Sequence, residues 1–102
     1  MKLLTKKIEN ELIAHPIGST DGQGKNARVI VKFFGGSSCT WLVTEGEKLE
    51  NGDWQFFGMC HITNWEWGYF LLSQLKELKF PPFGLPIERD LYSHGTVKEL
   101  MK

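Results

Sequence analysis

The sequence has few cysteines and arginines, no excess of charge of either sign, and no long apolar run. Its 102 residues include two cysteines, Cys39 and Cys60, and neither belongs to a Cys-x-x-Cys motif. Without that motif or a secretory signal, we expect two reduced thiols rather than a disulfide framework. No apolar run approaches the ~20 residues that a membrane span needs, and the opening MKLLTKK stretch lacks the apolar core of a signal peptide. We therefore expect a cytoplasmic protein with no membrane partner.

The balance of charge argues against direct binding to nucleic acid. Twelve basic residues face twelve acidic ones, which gives a formal net charge of zero. Proteins that bind nucleic acid usually carry a basic face, because they must neutralise phosphates. A chain of this length forms one small domain, and its 41% of hydrophobic residues suffice for one core.

Motifs for cofactors, metals and nucleophilic catalysis are also missing. The run from Gly22 to Ala27 fits G-x-G-x-x-A, but it precedes a predicted strand and so offers no helix N-terminus to a pyrophosphate. The three histidines stand far apart, and no G-x-S-x-G motif is present. We predict no cofactor, no metal site and no enzymatic activity. A small hydrolase that uses Glu45, Glu88 and Asp90 is kept as an alternative, which requires these acids to converge in a cleft.

The hydrophobic pattern predicts a helix followed by strands. Apolar residues recur at helical spacing over residues 5–14, where Thr5 is a candidate N-cap, and the polar, glycine-rich residues 18–26 predict a loop. From residue 28 the period changes to two, which is typical of strands, and the short connections indicate an antiparallel meander. The predicted strands cover residues 28–34, 40–45, 54–62 and 67–71.

The remainder of the chain is predicted to be less regular. Ser73 is expected to cap a helix over residues 74–79, and Thr96 with Glu99 has the pattern of a capping box. Pro86 excludes the segment between them from a central strand. The prediction is an α+β fold, with a four-stranded, mainly antiparallel sheet and short helices packed on one face.

Aromatic residues are more abundant in the predicted strands than one small sheet face requires. Either loops cover the second face of the sheet, or part of that face meets a ligand or another copy of the chain. We therefore expect a homo-oligomer or a ligand contact. The residues concerned are Trp41, Trp54, Phe56, Phe57, Trp67, Tyr69 and Phe70.

The most informative polar cluster is Glu88-Arg89-Asp90, because it puts three charges inside an apolar segment. Arg89 is one of only two arginines in the chain. One interpretation is a structural ion pair that holds this segment against the sheet. The other is that Arg89 presents its planar fork to a phosphate or carboxylate, with Glu88 and Asp90 holding it in place. Arg28 and Lys32, on one predicted strand face, could add positive charge.

The run from Gly84 to Tyr92 and several shorter segments, among them residues 31–34 and 68–70, occur in a familiar order. Together they resemble a small, uncharacterised bacterial family of unknown function that is carried on plasmids, conjugative elements and phages. The resemblance covers nearly the whole chain, and the run from Gly84 to Tyr92 is its most specific part. It implies an accessory protein of mobile DNA in a bacterial host cell, and it brings no assigned catalytic residue. The other segments are residues 1–6, 31–34, 40–41, 44–45, 57–58 and 68–70.

Small mobile-element proteins without catalytic motifs often act by binding a component of host defence. One hypothesis is an oligomeric sponge that sequesters a nucleotide-derived immune signal between subunits. The alternative is a protein that inhibits a host defence nuclease or effector complex, and a third is an accessory of plasmid maintenance. Aromatic anchors serve the first two, and nearby cations favour the sponge. The candidate ligand-binding residues are Trp41, Arg89, Tyr92, Lys32 and Glu45, supported by Glu88 and Asp90.

Overall fold

The computed structural model of the chain describes residues 2–36, 38–91 and 93–101. Its helices and strands follow the predicted order through residue 77, and short strands and a terminal helix complete the chain. The elements are α1 (Lys6–Ile13), a 3₁₀ turn (Gly24–Asn26), β1 (Val31–Gly35), β2 (Cys39–Lys48), β3 (Trp54–His61), β4 (Trp65–Leu71), α2 (Leu72–Glu77), β5 (Lys79–Phe80), β6 (Leu85–Pro86), β7 (Glu88–Arg89) and α3 (Val97–Leu100).

The main sheet has five strands rather than the predicted four. Its order is β4-β3-β2-β1-β7, and every neighbouring pair is antiparallel. The added strand is β7, in which Glu88 and Arg89 pair with Phe34 and Phe33 of β1. Pro86 does not prevent this pairing, because it lies in the separate two-stranded β5–β6 hairpin. The α+β fold and the antiparallel meander are confirmed.

Two of the three predicted helix caps are confirmed. The Thr5 hydroxyl accepts a hydrogen bond from the Ile8 amide at 3.2 Å. Thr96 and Glu99 form a capping box, in which each side chain accepts the other residue's backbone N–H. Both caps satisfy amides that the first helical turn leaves without intrahelical partners.

The predicted cap at Ser73 is wrong by two residues. The helix α2 begins at Leu72, and the Leu71 amide donates to the Gln74 side chain at 2.9 Å. Ser73 instead donates its amide and its hydroxyl to Asp53, at 3.1 and 2.6 Å. The hydrogen bond from the Ser73 hydroxyl, aided by two backbone amides, lowers the pKa of Asp53 below its usual value.

One face of the sheet carries the larger hydrophobic core, which α1 and α2 cover. Ring contacts within it centre on Phe56, whose centroid lies 6.0 Å from that of Phe33 and 5.6 Å from that of Phe70. Four of the seven predicted aromatic residues belong here, so they are core rather than binding surface. The buried members are Leu3, Leu4, Leu12, Val31, Phe33, Trp41, Val43, Trp54, Phe56, Phe70, Leu72, Leu75 and Ile87.

The second face is covered only in part. Val97 of α3 packs with Val29, Leu42 and Met59 in a smaller core, so one helix lies on the face opposite the other two. Toward β4, Phe57 stacks on Trp67 with ring centroids 5.6 Å apart and an interplanar angle of 6°. Trp67 and the neighbouring Tyr69 remain exposed. Loops and α3 thus cover one part of this face, whereas the aromatic part around Trp67 and Tyr69 stays exposed.

A β-bulge between Val43 and Glu45 decides where Glu45 points. Val43 pairs with Gly58, and Glu45 pairs with Phe57, the residue before Gly58 in β3. Two steps along β2 thus match one step along β3, and the extra residue is Thr44. In a regular strand Val43 and Glu45 would share a face, because side chains alternate. The extra residue instead turns Glu45 to the second face, where the glycine-rich loop lies.

Candidate functional site

A groove of about 270 Å³ lies between α1, the beginning of β1 and the chain that follows β7. It forms because β7 pairs with only two residues of β1, which leaves the edge of the preceding segment uncovered. We call it the basic groove. Its lining residues are Thr5, Lys7, Ile8, Glu11, residues 28–32, Arg89, Asp90, Leu91, Ser93 and His94.

The basic groove concentrates positive charge in a chain of zero net charge. Both arginines of the sequence, Arg28 and Arg89, border it. Lys7 and Lys32 bring the number of cations to four against the two carboxylates Glu11 and Asp90, and His94 lines the same groove. The local formal excess is therefore two positive charges before any charge on the histidine. Such a site attracts an anion by its own charge, although the whole chain does not.

Asp90 orders one wall of the groove. Its carboxylate accepts the Ser93 amide and the Ser93 hydroxyl, both at 2.9 Å, and lies 3.8 Å from the Lys32 ammonium. Its own amide donates to the Lys32 carbonyl oxygen at 2.9 Å. The side chains of Lys32 and Asp90 are both about a fifth to a quarter exposed, so solvent weakens their ion pair. Asp90 thus orders this wall through Ser93 and Lys32, whereas the sequence suggested it as a support for Arg89.

Arg89 is half-buried and tied to the N-terminal segment. Its guanidinium donates to the carbonyl oxygen of Lys2, and its backbone pairs with Phe33. One branch of the fork thus holds the N-terminal segment against β7, while the residue also borders the groove. The bond to Lys2 is a structural tie of a different kind from the ion pair that the sequence suggested, and it is compatible with a ligand contact.

The other candidates lie outside the groove. Trp41 is 4% exposed and belongs to the core, where it also borders a cavity of about 450 Å³ beside β4. Cys60 borders the same cavity, and burial raises the pKa of its thiol to about 12, which keeps it protonated and unreactive at neutral pH. Glu88 borders a separate cavity with Phe80 of the β5–β6 hairpin. Tyr92 lies outside the described residues.

Glu45 holds the glycine-rich loop. It is 2% exposed, and its two carboxylate oxygens accept the amides of Gly18 at 2.6 Å and Thr20 at 2.8 Å. The Thr20 hydroxyl donates to the same carboxylate. A buried carboxylate needs such donors, because an unsatisfied buried charge is costly. These bonds give Glu45 a structural task on the second face of the sheet.

The register separates the three acids of the hydrolase alternative. Glu88 and Thr40 both pair with Phe34, whereas Glu45 lies five residues further along β2. That offset is roughly 15 Å along the strand direction, at the usual rise of a strand residue. Asp90 borders the basic groove and Glu88 a different cavity. The three acids therefore do not meet in one cleft, as the hydrolase alternative requires.

Sequence reasoning missed Lys7 and His94 and named Arg28 only as an accessory. Arg28 could have been found from the sequence, because the chain has only two arginines and the other, Arg89, was already a candidate. Lys7 and His94 had none. They come from the two ends of the chain, and only the tertiary fold brings them to β1.

In the described part of the chain, no helix is both long and apolar enough to cross a membrane. Comparison with curated proteins and with solved structures gives no significant match. A family model described as a protein of unknown function (DUF2958) matches residues 3–100. The chain therefore belongs to this family of unknown function, as the resemblance of its sequence predicted.

Proposed function

We propose that this chain is a non-enzymatic binding protein that sequesters a nucleotide-type ligand through the basic groove. The observation that carries the proposal is that both arginines border one cavity, together with Lys7 and Lys32. A guanidinium matches the geometry of a phosphate with two parallel hydrogen bonds, and a lysine adds a point charge. The arrangement suits a phosphate better than a neutral ligand.

The size of the groove indicates which part of the ligand it takes. Its volume of about 270 Å³ is below the ~300–1,000 Å³ that is usual for sites that enclose a drug-sized molecule. The groove therefore admits the phosphate-bearing end of a nucleotide and leaves the remainder outside. Because Trp41 is in the core, a base would not stack on that residue.

The biological role follows from the setting that the sequence resemblance implies. On a plasmid or phage, a protein that removes a nucleotide-derived immune signal would protect the element from its host. Such a sponge acts stoichiometrically and needs no catalytic residue. Its ligand is released unchanged when the protein unfolds.

Native mass spectrometry of the purified protein, with a panel of cyclic and ADP-ribose-type nucleotides, tests the proposal. We expect one nucleotide mass per chain, and intact nucleotide after denaturation. Chemically altered nucleotide would instead support the hydrolase alternative. A protein that binds none of the panel would overturn the proposal.

Calorimetric titration of two variants locates the site. The double variant Lys7→Ala/Arg28→Ala removes two exposed groove cations, and we expect at least tenfold weaker binding, since a hydrogen bond to a charged group is worth about 1.5–3 kcal/mol. Lys6→Ala/Lys25→Ala is the control matched in charge, because both lysines are also exposed but neither borders the groove. Equal losses in both variants would show only a general charge effect.

A second candidate function is inhibition of a host defence protein. The observation that favours it is the β5–β6 hairpin, where Phe83 is 83% exposed at the tip and Leu85 is also exposed. Exposed aromatic residues of this kind anchor protein partners by filling pockets. If affinity capture from host lysate yields a partner, Phe83→Ser should abolish it, whereas Ile13→Ser, at another exposed apolar residue, should not.

A further inference from the structure

The strand β4 is an open edge of the main sheet. Among the described residues it is last in the strand order, and its seven residues pair with β3 on one side only. The opposite edge, β7, has two residues. Proteins protect long edges with lysine, proline or bulges, because an open edge can pair with another strand. The sequence of β4, WEWGYFL, contains neither lysine nor proline.

Hydrogen bonds of the neighbouring strand show which backbone groups of β4 face outward. The Phe57 carbonyl accepts the Thr44 hydroxyl, so the backbone groups of Phe57 face β2. Phe57 pairs with Tyr69, and this pair must therefore be one that exchanges no hydrogen bonds. The amide and carbonyl of Tyr69 therefore point away from β3, toward the open edge. Those of Trp67 point the same way, because the backbone groups of every second strand residue face the same side. The outward amide of Leu71 is consistent with this direction, since it donates to Gln74.

The outward backbone coincides with exposed aromatic side chains. Trp67 is 40% exposed and Tyr69 is 63% exposed, and both rings contact Phe57 on the second face. A strand that paired here would gain backbone hydrogen bonds and an aromatic surface at once.

Gly68, between these two residues, is unexplained by the fold of a single chain. A Cβ atom built on it meets nothing within 4 Å, and its φ is not positive. Glycine weakens the interior of a strand, so its presence needs another reason, and one such reason is the close approach of a second backbone.

We propose that β4 pairs with β4 of a second copy, antiparallel and centred on Gly68, to form a continuous ten-stranded sheet. In this register Trp67 lies opposite Tyr69 of the second copy, and the outward backbone groups of both residues exchange four hydrogen bonds. Gly68 lies opposite Gly68 in the closely spaced type of pair, where side chains crowd most. The only charged residue of the strand, Glu66, lies opposite Phe70, so like charges do not meet.

A second copy fits this edge because the contact is self-complementary about one residue. A twofold axis through Gly68 satisfies both strands equally, as a closed dimer requires. The contact is expected to be small beside the ~1,200 Å² of a standard interface, because it joins one seven-residue strand of each copy. We therefore expect a weak dimer that dissociates on dilution.

Charge at Gly68 tests the pairing directly. Sedimentation velocity of the wild-type chain from 1 to 200 μM should show a concentration-dependent equilibrium between monomer and dimer, as a small interface would give. Gly68→Lys and Gly68→Glu each put like charges opposite each other, so each should be monomeric throughout. The space around Gly68 lets both variants fold, which their circular dichroism checks.

An equimolar mixture of the two variants gives the decisive result. The introduced lysine of one copy would then face the introduced glutamate of the other, so the mixture should recover the dimer that each variant alone has lost. Tyr69→Phe is the matched control and should dimerise like the wild-type chain, because it keeps the ring and the backbone. A wild-type chain that is monomeric at 200 μM, or a mixture that does not recover, would overturn the proposal. Because the surface lies away from the basic groove, neither outcome depends on nucleotide binding.

Discussion

The role of Glu45 as the anchor of the glycine-rich loop leads to a prediction about stability. Glu45→Ala removes a buried acceptor of three hydrogen bonds, two from the amides of Gly18 and Thr20 and one from the Thr20 hydroxyl. Each bond to a charged group is worth about 1.5–3 kcal/mol. The loop is largely exposed, so its released donors can turn to water, and the expected loss is about 3 kcal/mol rather than the sum.

For a domain of this size, 1 kcal/mol corresponds to about 4–8 °C in melting temperature. Glu45→Ala should therefore melt about 12–24 °C below the wild-type chain, measured by circular dichroism. Glu45→Gln should lose less, about 1–2 kcal/mol, because it keeps one acceptor oxygen but turns an N–H₂ group toward a donor. In hydrogen exchange, the amides of both Gly18 and Thr20 should lose protection in Glu45→Ala, but only one of them should in Glu45→Gln.

Glu47→Ala is the matched control, because Glu47 is an exposed acid on the same strand. It should change the stability by no more than about 0.5 kcal/mol. The reasoning is refuted if Glu45→Ala melts together with Glu47→Ala. That result would return Glu45 to the ligand-binding or catalytic candidates, since acids kept for function often cost stability.

Three further predictions concern β3 and its surroundings. Gly58→Ala should abolish cooperative unfolding, because a Cβ atom there would lie 1.9 Å from a carbonyl oxygen of β2, and backbone cannot give way cheaply. Asp53→Asn should lower the melting temperature more at pH 7 than at pH 2.5. The pKa of Asp53 is lowered in the folded chain by the Ser73 hydroxyl, so its stabilisation is complete above the unfolded pKa of about 3.9 and is lost as the pH falls through the folded pKa. In a Cys39→Ser background, Cys60 should react with iodoacetamide at pH 7.5 at least about tenfold more slowly in the folded chain than in urea, because its pKa of about 12 leaves little thiolate. Equal rates would contradict that burial.

The elements with strong local signals were predictable. Alternation located the four main strands, and the side-chain oxygens of Thr5 and Thr96 located two helix starts. β7 was not predictable as a sheet strand, because two residues give no periodicity and their partner Phe33 is more than fifty positions away in the sequence. The cap at Ser73 failed for a similar reason, since its partner Asp53 comes from a distant turn.

The candidate site was predictable in part. The cluster around Arg89 and Asp90 identified one wall of the basic groove, because charges within an apolar segment need partners that the sequence itself can suggest. Trp41 was misjudged as accessible, since alternation assigns faces but does not say which face a helix covers. The orientation of Glu45 depends on a bulge at Thr44, and nothing in the local sequence requires one there.

The two proposed surfaces lie at opposite edges of the main sheet, and this separation constrains how a sponge would work. The basic groove adjoins β1 and β7, whereas the proposed dimer contact is β4. A dimer through β4 therefore places its two grooves at the far ends of a ten-stranded sheet, so the ligand would be held within each subunit and not between subunits. Binding should then show one site per chain, no cooperativity and the same affinity in Gly68→Lys as in the wild-type chain, because allosteric coupling requires a shared two-state element. A steep isotherm that flattens in Gly68→Lys would mean that dimerisation reshapes the groove.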